Sequence, residues 1–299
     1  MATINKRTGR PEAMVINGID AGGAMTAKIQ CGNDTITRSA SDGLQAPISD
    51  RETQFVRGTI TSQDWTHAIT LLTGTLGTLV FYERKRGVEE ATGYIKHTLI
   101  NPIIHRFRLR VTKENYAEVD VEFECKAADP TKTISDMWAI TDSQAAPTYV
   151  SAARGGVRIE SCLHGALNVY HLTAFEFSIA LPLVKACNDA DVAYTCVDAL
   201  LSGLTADGSI TFQDSTVTSS ALLCQQLIAA ARASLVLAVR QSANGADKTV
   251  TITGVVFNGV SSDSGAKKDF TDYTATFEVV NDTTTQLTLA GTNKILTIV

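Results

Sequence analysis

The sequence is poor in the residues that carry chemistry. It holds five histidines and six cysteines in 299 residues. His67, His97, His105, His164 and His171 do not recur at metal-ligand spacing. Cys31, Cys125, Cys162, Cys187, Cys196 and Cys224 contain no Cys-x-x-Cys pair. There is no Gly-x-Ser-x-Gly elbow, no His-Glu-x-x-His pair and no Walker loop. The glycines from Gly18 to Gly23 have the composition of a phosphate loop but not its strand–glycine–helix setting. These absences remove the common signatures of hydrolases, zinc enzymes and nucleotide-binding proteins. They predict a chain that is not an enzyme and takes no cofactor or metal. The cysteines then read as small buried apolar residues; disulfides between subunits stay open, because spacing does not show which cysteines would meet.

Other absences narrow the class further. No apolar run approaches the roughly 20 residues that span a bilayer. The opening from Met1 to Arg7 is basic but has no apolar stretch, so no secretory signal is read there. The expectation is a protein folded in a cytoplasm without a membrane. Basic residues (26) do not exceed acidic ones (31), and the net charge is −5. The clustered cations of a tight nucleic-acid binder are missing. Aromatic residues are only 6%, which disfavours the flat aromatic platform of a carbohydrate-binding module.

What is present is a repeat. A hydrophobic fraction of 44% and a charged fraction of 19% suit folded globular domains, and the length suits two of them. Gly58-Thr-Ile-Thr-Ser-Gln-Asp64 matches Gly208-Ser-Ile-Thr-Phe-Gln-Asp214, and Thr78-Leu-Val-Phe81 matches Ser234-Leu-Val-Leu237. Next, Ile95–Asn101 lines up with Ile252–Asn258, and Asn115-Tyr116 with Asp272-Tyr273. Four blocks in one order predict a duplicated domain, 1–145 and 146–299, joined through a Pro- and Gly-containing linker at about 142–156.

Both copies share a local grammar. A strand ending in Gln-Asp precedes an amphipathic helix, with Trp65, Ala68, Ile69 and Leu72 on one face in the first copy. Leu223, Leu227, Ala230 and Ala231 form the stripe in the second, where a short insertion lengthens the helix. Asp64 is the expected N-cap and Gly74 the expected stop. Strands follow, with turns at Arg86-Gly87 and Asn244-Gly245. Upstream, Ala27–Gln30 and Asp34–Arg38 read as two strands about a Cys31-Gly32-Asn33 turn. Ser39–Thr53 reads as a loop of about fifteen residues, a length that is usually functional or disordered. Its counterpart in the second copy, Lys185–Asp207, is more apolar and reads as partly helical.

Two strands carry dense charge. Val119, Val121 and Phe123 alternate with Glu118, Asp120, Glu122 and Glu124, so one face is apolar and the other acidic. Arg106-Phe-Arg-Leu-Arg110 is a basic strand whose field is cancelled by the acidic residues that follow. A solvated or intersubunit face fits it better than a nucleic-acid surface. His97 and His105 fall on strands and read as structural.

This order of elements resembles the tail tube proteins of long-tailed bacteriophages, with Gly58-Thr-Ile-Thr61 leading into the helix as the closest piece. The resemblance covers the whole chain, once per copy. It implies a mainly β fold with one flanking helix per domain, two tandem tail-tube-like β-sandwich or barrel domains. It further implies rings of six domains, stacked around a lumen that conducts DNA without binding it specifically. With two domains per chain, three chains would close a ring.

The long loop, with Asp42, Leu44, Ile48, Asp50 and Arg51, would reach the adjacent ring. The acidic strand of Glu118, Asp120, Glu122 and Glu124 would face the lumen, where like-charge repulsion keeps DNA free. Partners would be other copies of the chain and tail sheath, baseplate and tail-terminator proteins. The location would be the tail of a virion assembled in a host cytoplasm. The alternative is another virion β-sandwich protein, either a baseplate or tail-completion ring or a receptor- or carbohydrate-binding module.

Overall fold

The computed structural model describes residues 7–16, 18–38, 48–65, 69–73, 77–85, 92–112, 115, 117–128, 132–147, 158–187, 196–201, 203–213, 222–240, 247–263, 271–282, 286–289 and 293–299. Within them the protein is mainly β. The first half holds β1 (Arg7–Ile16), β2 (Ile19–Arg38), β3 (Ile48–Ser62), β4 (Thr78–Lys85), β5 (Tyr94–Ile100), β6 (Pro102–Thr112), β7 (Glu118–Cys125) and β8 (Trp138–Gln144). The second holds β9 (Arg158–His164), β10 (Leu167–Val169), β11 (Leu172–Ala180), β12 (Leu183–Cys187), β13 (Cys196–Leu201), β14 (Thr205–Phe212), β15 (Ala233–Arg240), β16 (Asp247–Asp263), β17 (Asp272–Val279) and β18 (Leu296–Ile298). A 3₁₀ turn spans Ile69–Thr73; α1 is Ile134–Met137 and α2 is Leu223–Ala229.

Sixteen strands form one sheet, ordered β10-β9-β15-β16-β17-β14-β11-β6-β7-β3-β2-β1-β4-β5-β8, with β18 on β16; β12 and β13 pair separately. The two-residue alternation decides which face is buried. Phe107, Leu109 and Val111 of β6 and Val119, Val121 and Phe123 of β7 turn inward. Each large apolar side chain so buried contributes about 1.5–3 kcal/mol of transfer free energy. Trp65, with Leu71 and Leu72 of the 3₁₀ turn and Leu223 and Leu227 of α2, belongs to the same continuous core. The helix α2 ends sooner than its sequence stripe: Ala230 is already extended, at φ −69° and ψ 140°.

Two stretches of the sheet carry the same pairings. Gly58 stands opposite Phe123 and Ile29 on its two flanks; Gly208 stands opposite Phe277 and Phe177. Leu79 pairs with Leu99, and Leu235 with Ile252. Both stretches have a bulge between matching residues, Ala24/Thr26 and Leu172/Ala174, and again between Ile104/Arg106 and Phe257/Gly259. Asn101 and Gly254 hold one position in this scheme, with φ +49° and +82°. Each carbonyl there accepts a 2.9 Å backbone hydrogen bond, from the Lys126 and Val280 amides. Gly tolerates this left-handed backbone, and Asn is among the few other residues that do.

Several expectations shift. Asn101 is level with Gly254, not Asn258, and Glu118 is level with Asp272, so the last two sequence blocks are displaced. The shift at Asn101 is four residues, and an even shift along alternating apolar residues keeps the inward pattern intact, so sequence matching cannot fix it. The last block is displaced by three, because Asn115-Tyr116 precedes β7 and its match to Asp272-Tyr273 was one of residue type alone. Residues 31–33 do not turn: β2 runs through them, because Cys31, Gly32 and Asn33 pair with Val56, Phe55 and Gln54. Long cross-strand pairing overrides the local turn signal. Residues 48–53 belong to β3, so the expected loop shortens to 39–47, which lies outside the described residues. The described parts of Lys185–Asp207 are strands, with Gly203 and Leu204 between β13 and β14, and no helix. The turns at 86–87 and 244–245, and most of the expected linker, also lie outside the described residues.

Candidate functional site

The acidic strand and the basic strand are neighbours. β7 pairs antiparallel with β6 so that Arg106, Arg108 and Arg110 stand opposite Glu122, Asp120 and Glu118. The alternation that buries Phe107 and Val121 turns all six charged residues to the other face. Arg110 Nη2 lies 2.6 Å from Asp120 Oδ2 and 3.6 Å from Glu118 Oε2. Arg106 Nη1 lies 3.4 Å from Glu122 Oε1. On its other flank Asp120 accepts a 2.7 Å hydrogen bond from the Thr61 hydroxyl of β3. Glu124 lies deeper than the rest, buried at the end of β7 beside Arg57 and Ile103.

The side chains of this ladder are 21–47% exposed. Ion pairs so placed contribute about 0–1 kcal/mol each. Their stronger effect is on the field: each β6 arginine already faces a carboxylate.

The third arginine reaches across a joint. β6 pairs on its far side with β11, from Arg106 opposite Ala180 to Thr112 opposite Ala174. Arg108 Nε donates to Glu176 Oε1 at 2.7 Å. The joint therefore links the two repeating stretches edge to edge, in one run β2-β3-β7-β6-β11-β14-β17-β16. Beyond β6 the polar face continues with Glu176, Ser209, Asp207, Thr274 and Glu278, and carboxylates outnumber cations along it.

The expected loop contacts are only partly placed. Asp42 and Leu44 lie outside the described residues. Ile48, Asp50 and Arg51 begin β3, with backbones opposite Arg38, Ile36 and Thr35. The Glu118–Glu124 row does share one face. Sequence reading missed that the basic strand is its direct partner in register. A signal was available: three cations at alternate positions, a short connector, then carboxylates at alternate positions. The β6–β11 joint had no local signal.

His97 and His164 are held by packing. His97 Nε2 lies 3.2 Å from Glu83 Oε2, Trp138 Nε1 donates to His97 Nδ1 at 3.3 Å, and Phe81 stacks on the ring at 4.4 Å. His164 Nε2 donates to the Val255 carbonyl at 3.2 Å, and burial holds the imidazole below its usual pKa. Among the described residues no group of His, Cys, Asp and Glu is arranged to hold a metal ion, and no helix is long and apolar enough to cross a membrane.

No known protein-family model matches the chain, and no curated protein matches its sequence.

Proposed function

We propose that this chain is a structural subunit of a phage tail tube. In this reading two tandem tail-tube-like β domains, 1–145 and 146–299, are assembled as rings of three chains, stacked around a lumen that conducts DNA. The observation that carries it is the β6–β11 joint. Two stretches with matching registers meet there edge to edge, without a break in the sheet. A unit that adds its own likeness along a sheet can continue with further copies, and head-to-tail contacts that close give rings.

The polar face suits a duct. Free arginines would grip phosphates and hold DNA. Here Arg106, Arg108 and Arg110 are engaged by Glu122, Glu176 and Asp120, and the surplus is acidic. Glu118, Asp120 and Glu122 are assigned to the lumen, with Glu124 set deeper. The 39–47 segment with Asp42 and Leu44, and the start of β3 with Ile48, Asp50 and Arg51, is assigned to the contact between rings. Sheath, baseplate and terminator proteins would be further partners in the virion tail.

Negative-stain microscopy of the purified full chain tests this reading. Hollow tubes or stacked rings are expected. A monodisperse monomer at millimolar concentration would overturn it.

A further inference from the structure

Among the described residues, the intrachain joint has two unoccupied counterparts at the ends of the same run of strands. The matching registers place Gly259–Asp263 of β16 where Arg106–Arg110 of β6 stand, and Lys28–Gly32 of β2 where Glu176–Ala180 of β11 stand. β6 carries β7 on one side and β11 on the other. Among the described residues, β16 from Val256 onward has β17 alone, and β2 from Thr26 onward has β3 alone. A bare edge of this kind is a template for another strand.

We infer that a second copy of this chain docks by strand addition, with β2 of one copy running antiparallel to the end of β16 of another. The register follows from the occupied joint. Arg108 opposite Ser178 becomes Ser261 opposite Gln30, and Phe107 opposite Ile179 becomes Val260 opposite Cys31.

Charge and burial both fit this occupant. In the occupied joint Arg110 stands opposite Glu176. In the inferred one the corresponding residues are Asp263 and Lys28, so the signs exchange and remain complementary. At the joint Phe175, Phe177 and Ile179 are no more than 1% exposed. Their counterparts at the bare edge, Ala27, Ile29 and Cys31, are half-buried or exposed. An apolar groove of about 610 Å³ flanks the same part of β16, walled by Cys224, Ile228, Val260 and Tyr273. Ile228 is 44% exposed there. Side chains opposite each other in an antiparallel pair share a face, so Cys31 would arrive beside Val260 at the groove wall.

This contact deepens the ring reading and rests on it only for closure. The full chain carrying Gln30→Cys and Ser261→Cys is oxidised and run on non-reducing gels, with light scattering in parallel. Expected are covalent multimers that neither single variant gives. An assembly that scatters as a multimer but cross-links no better than the single variants would overturn the β2–β16 seam and leave the ring reading standing. Cross-linking into multimers that never form rings or tubes would support the seam and overturn the ring reading. A monomer without cross-links would overturn both. Lys28→Asp and Asp263→Lys, each exposed and compatible with folding, should each raise the concentration needed for assembly about fivefold to tenfold. Combining them should restore it; failure to restore would overturn the register.

Discussion

Gly58 lies under the ring of Phe123. A Cβ at that position would fall 2.9 Å from Phe123 Cζ and would also run into the Lys28 carbonyl. Gly208 meets Phe277 and the Glu176 carbonyl in the same way. The close approach explains why both copies of the Gly58–Asp64 block begin with glycine. Gly58→Ala and Gly208→Ala should each destabilise the fold by about 1–3 kcal/mol through overpacking. Urea unfolding checks this; a loss below 0.5 kcal/mol, on the order of a surface substitution, would refute the close contact.

His164 should make stability depend on pH. Burial lowers its folded pKa below the ordinary 6.5, so below that pH the unfolded chain binds more protons than the folded one. Stability then falls as pH drops from about 6.5 toward the lowered folded value, and is fully present above 6.5. The buried Nδ1 has no hydrogen-bond partner among the described residues, so the added proton finds no acceptor. His164→Leu should flatten the stability profile in this window; an unchanged slope would assign the loss to other groups.

Thiol labelling should separate the cysteines. Burial pushes the Cys125 and Cys162 thiols up to about 12, and the thiolate is the reactive form. Neither should react with iodoacetamide at pH 8 until the protein unfolds. Cys31 is exposed and Cys224 half-buried, so both should react in the native monomer, Cys31 faster. Peptide mapping of the labelled sites provides the measurement, and protection of Cys31 on assembly would accord with the β2–β16 seam.

Removing residues 41–46 should leave the β2–β3 pairing intact, because it begins at Arg38 and Ile48. On the tail-tube reading proposed above, the expected outcome is unchanged melting with rings that no longer stack. Normal tubes seen by electron microscopy would remove the stacking role of this segment.

Glu118→Lys with Glu122→Lys should convert the polar face from mixed to basic without touching the core. On the tail-tube reading, tubes should still form, and they should retain duplex DNA at about 50 mM salt and release it at higher salt as counterions compete. A filter-binding comparison with the unaltered chain measures this. No gain in affinity would mean the face points away from the lumen.

Much of the fold was legible in the sequence where physics is local. The alternation in Glu118–Cys125 marked a strand and its buried side, and Gly58–Asp64 against Gly208–Asp214 marked the repeat. Where partners lie far apart in sequence, reading failed. Cys31-Gly32-Asn33 looks like a turn by composition, yet nine consecutive register pairs between β2 and β3, from Thr26 to Asp34, hold it extended. Block alignment slipped by four residues at Asn101 because the strand period cannot tell one even shift from another. The site was half legible: the acidic row was visible, but not the arginine row beside it or the joint to Glu176.

The exchange of signs between the two kinds of edge has a consequence for fidelity. If a foreign β2 displaced β11 from β6 in the same register, Lys28 would face Arg110. If β16 captured a foreign β11, Asp263 would face Glu176. Both mismatches set like charges directly opposite, which is unfavourable in a sheet. Arg110 with Glu176 is an attractive pairing within the chain, and Asp263 with Lys28 would be one at the inferred seam. Four side chains thus discourage strand exchange between copies, so a growing assembly would alternate its halves strictly and not shuffle them.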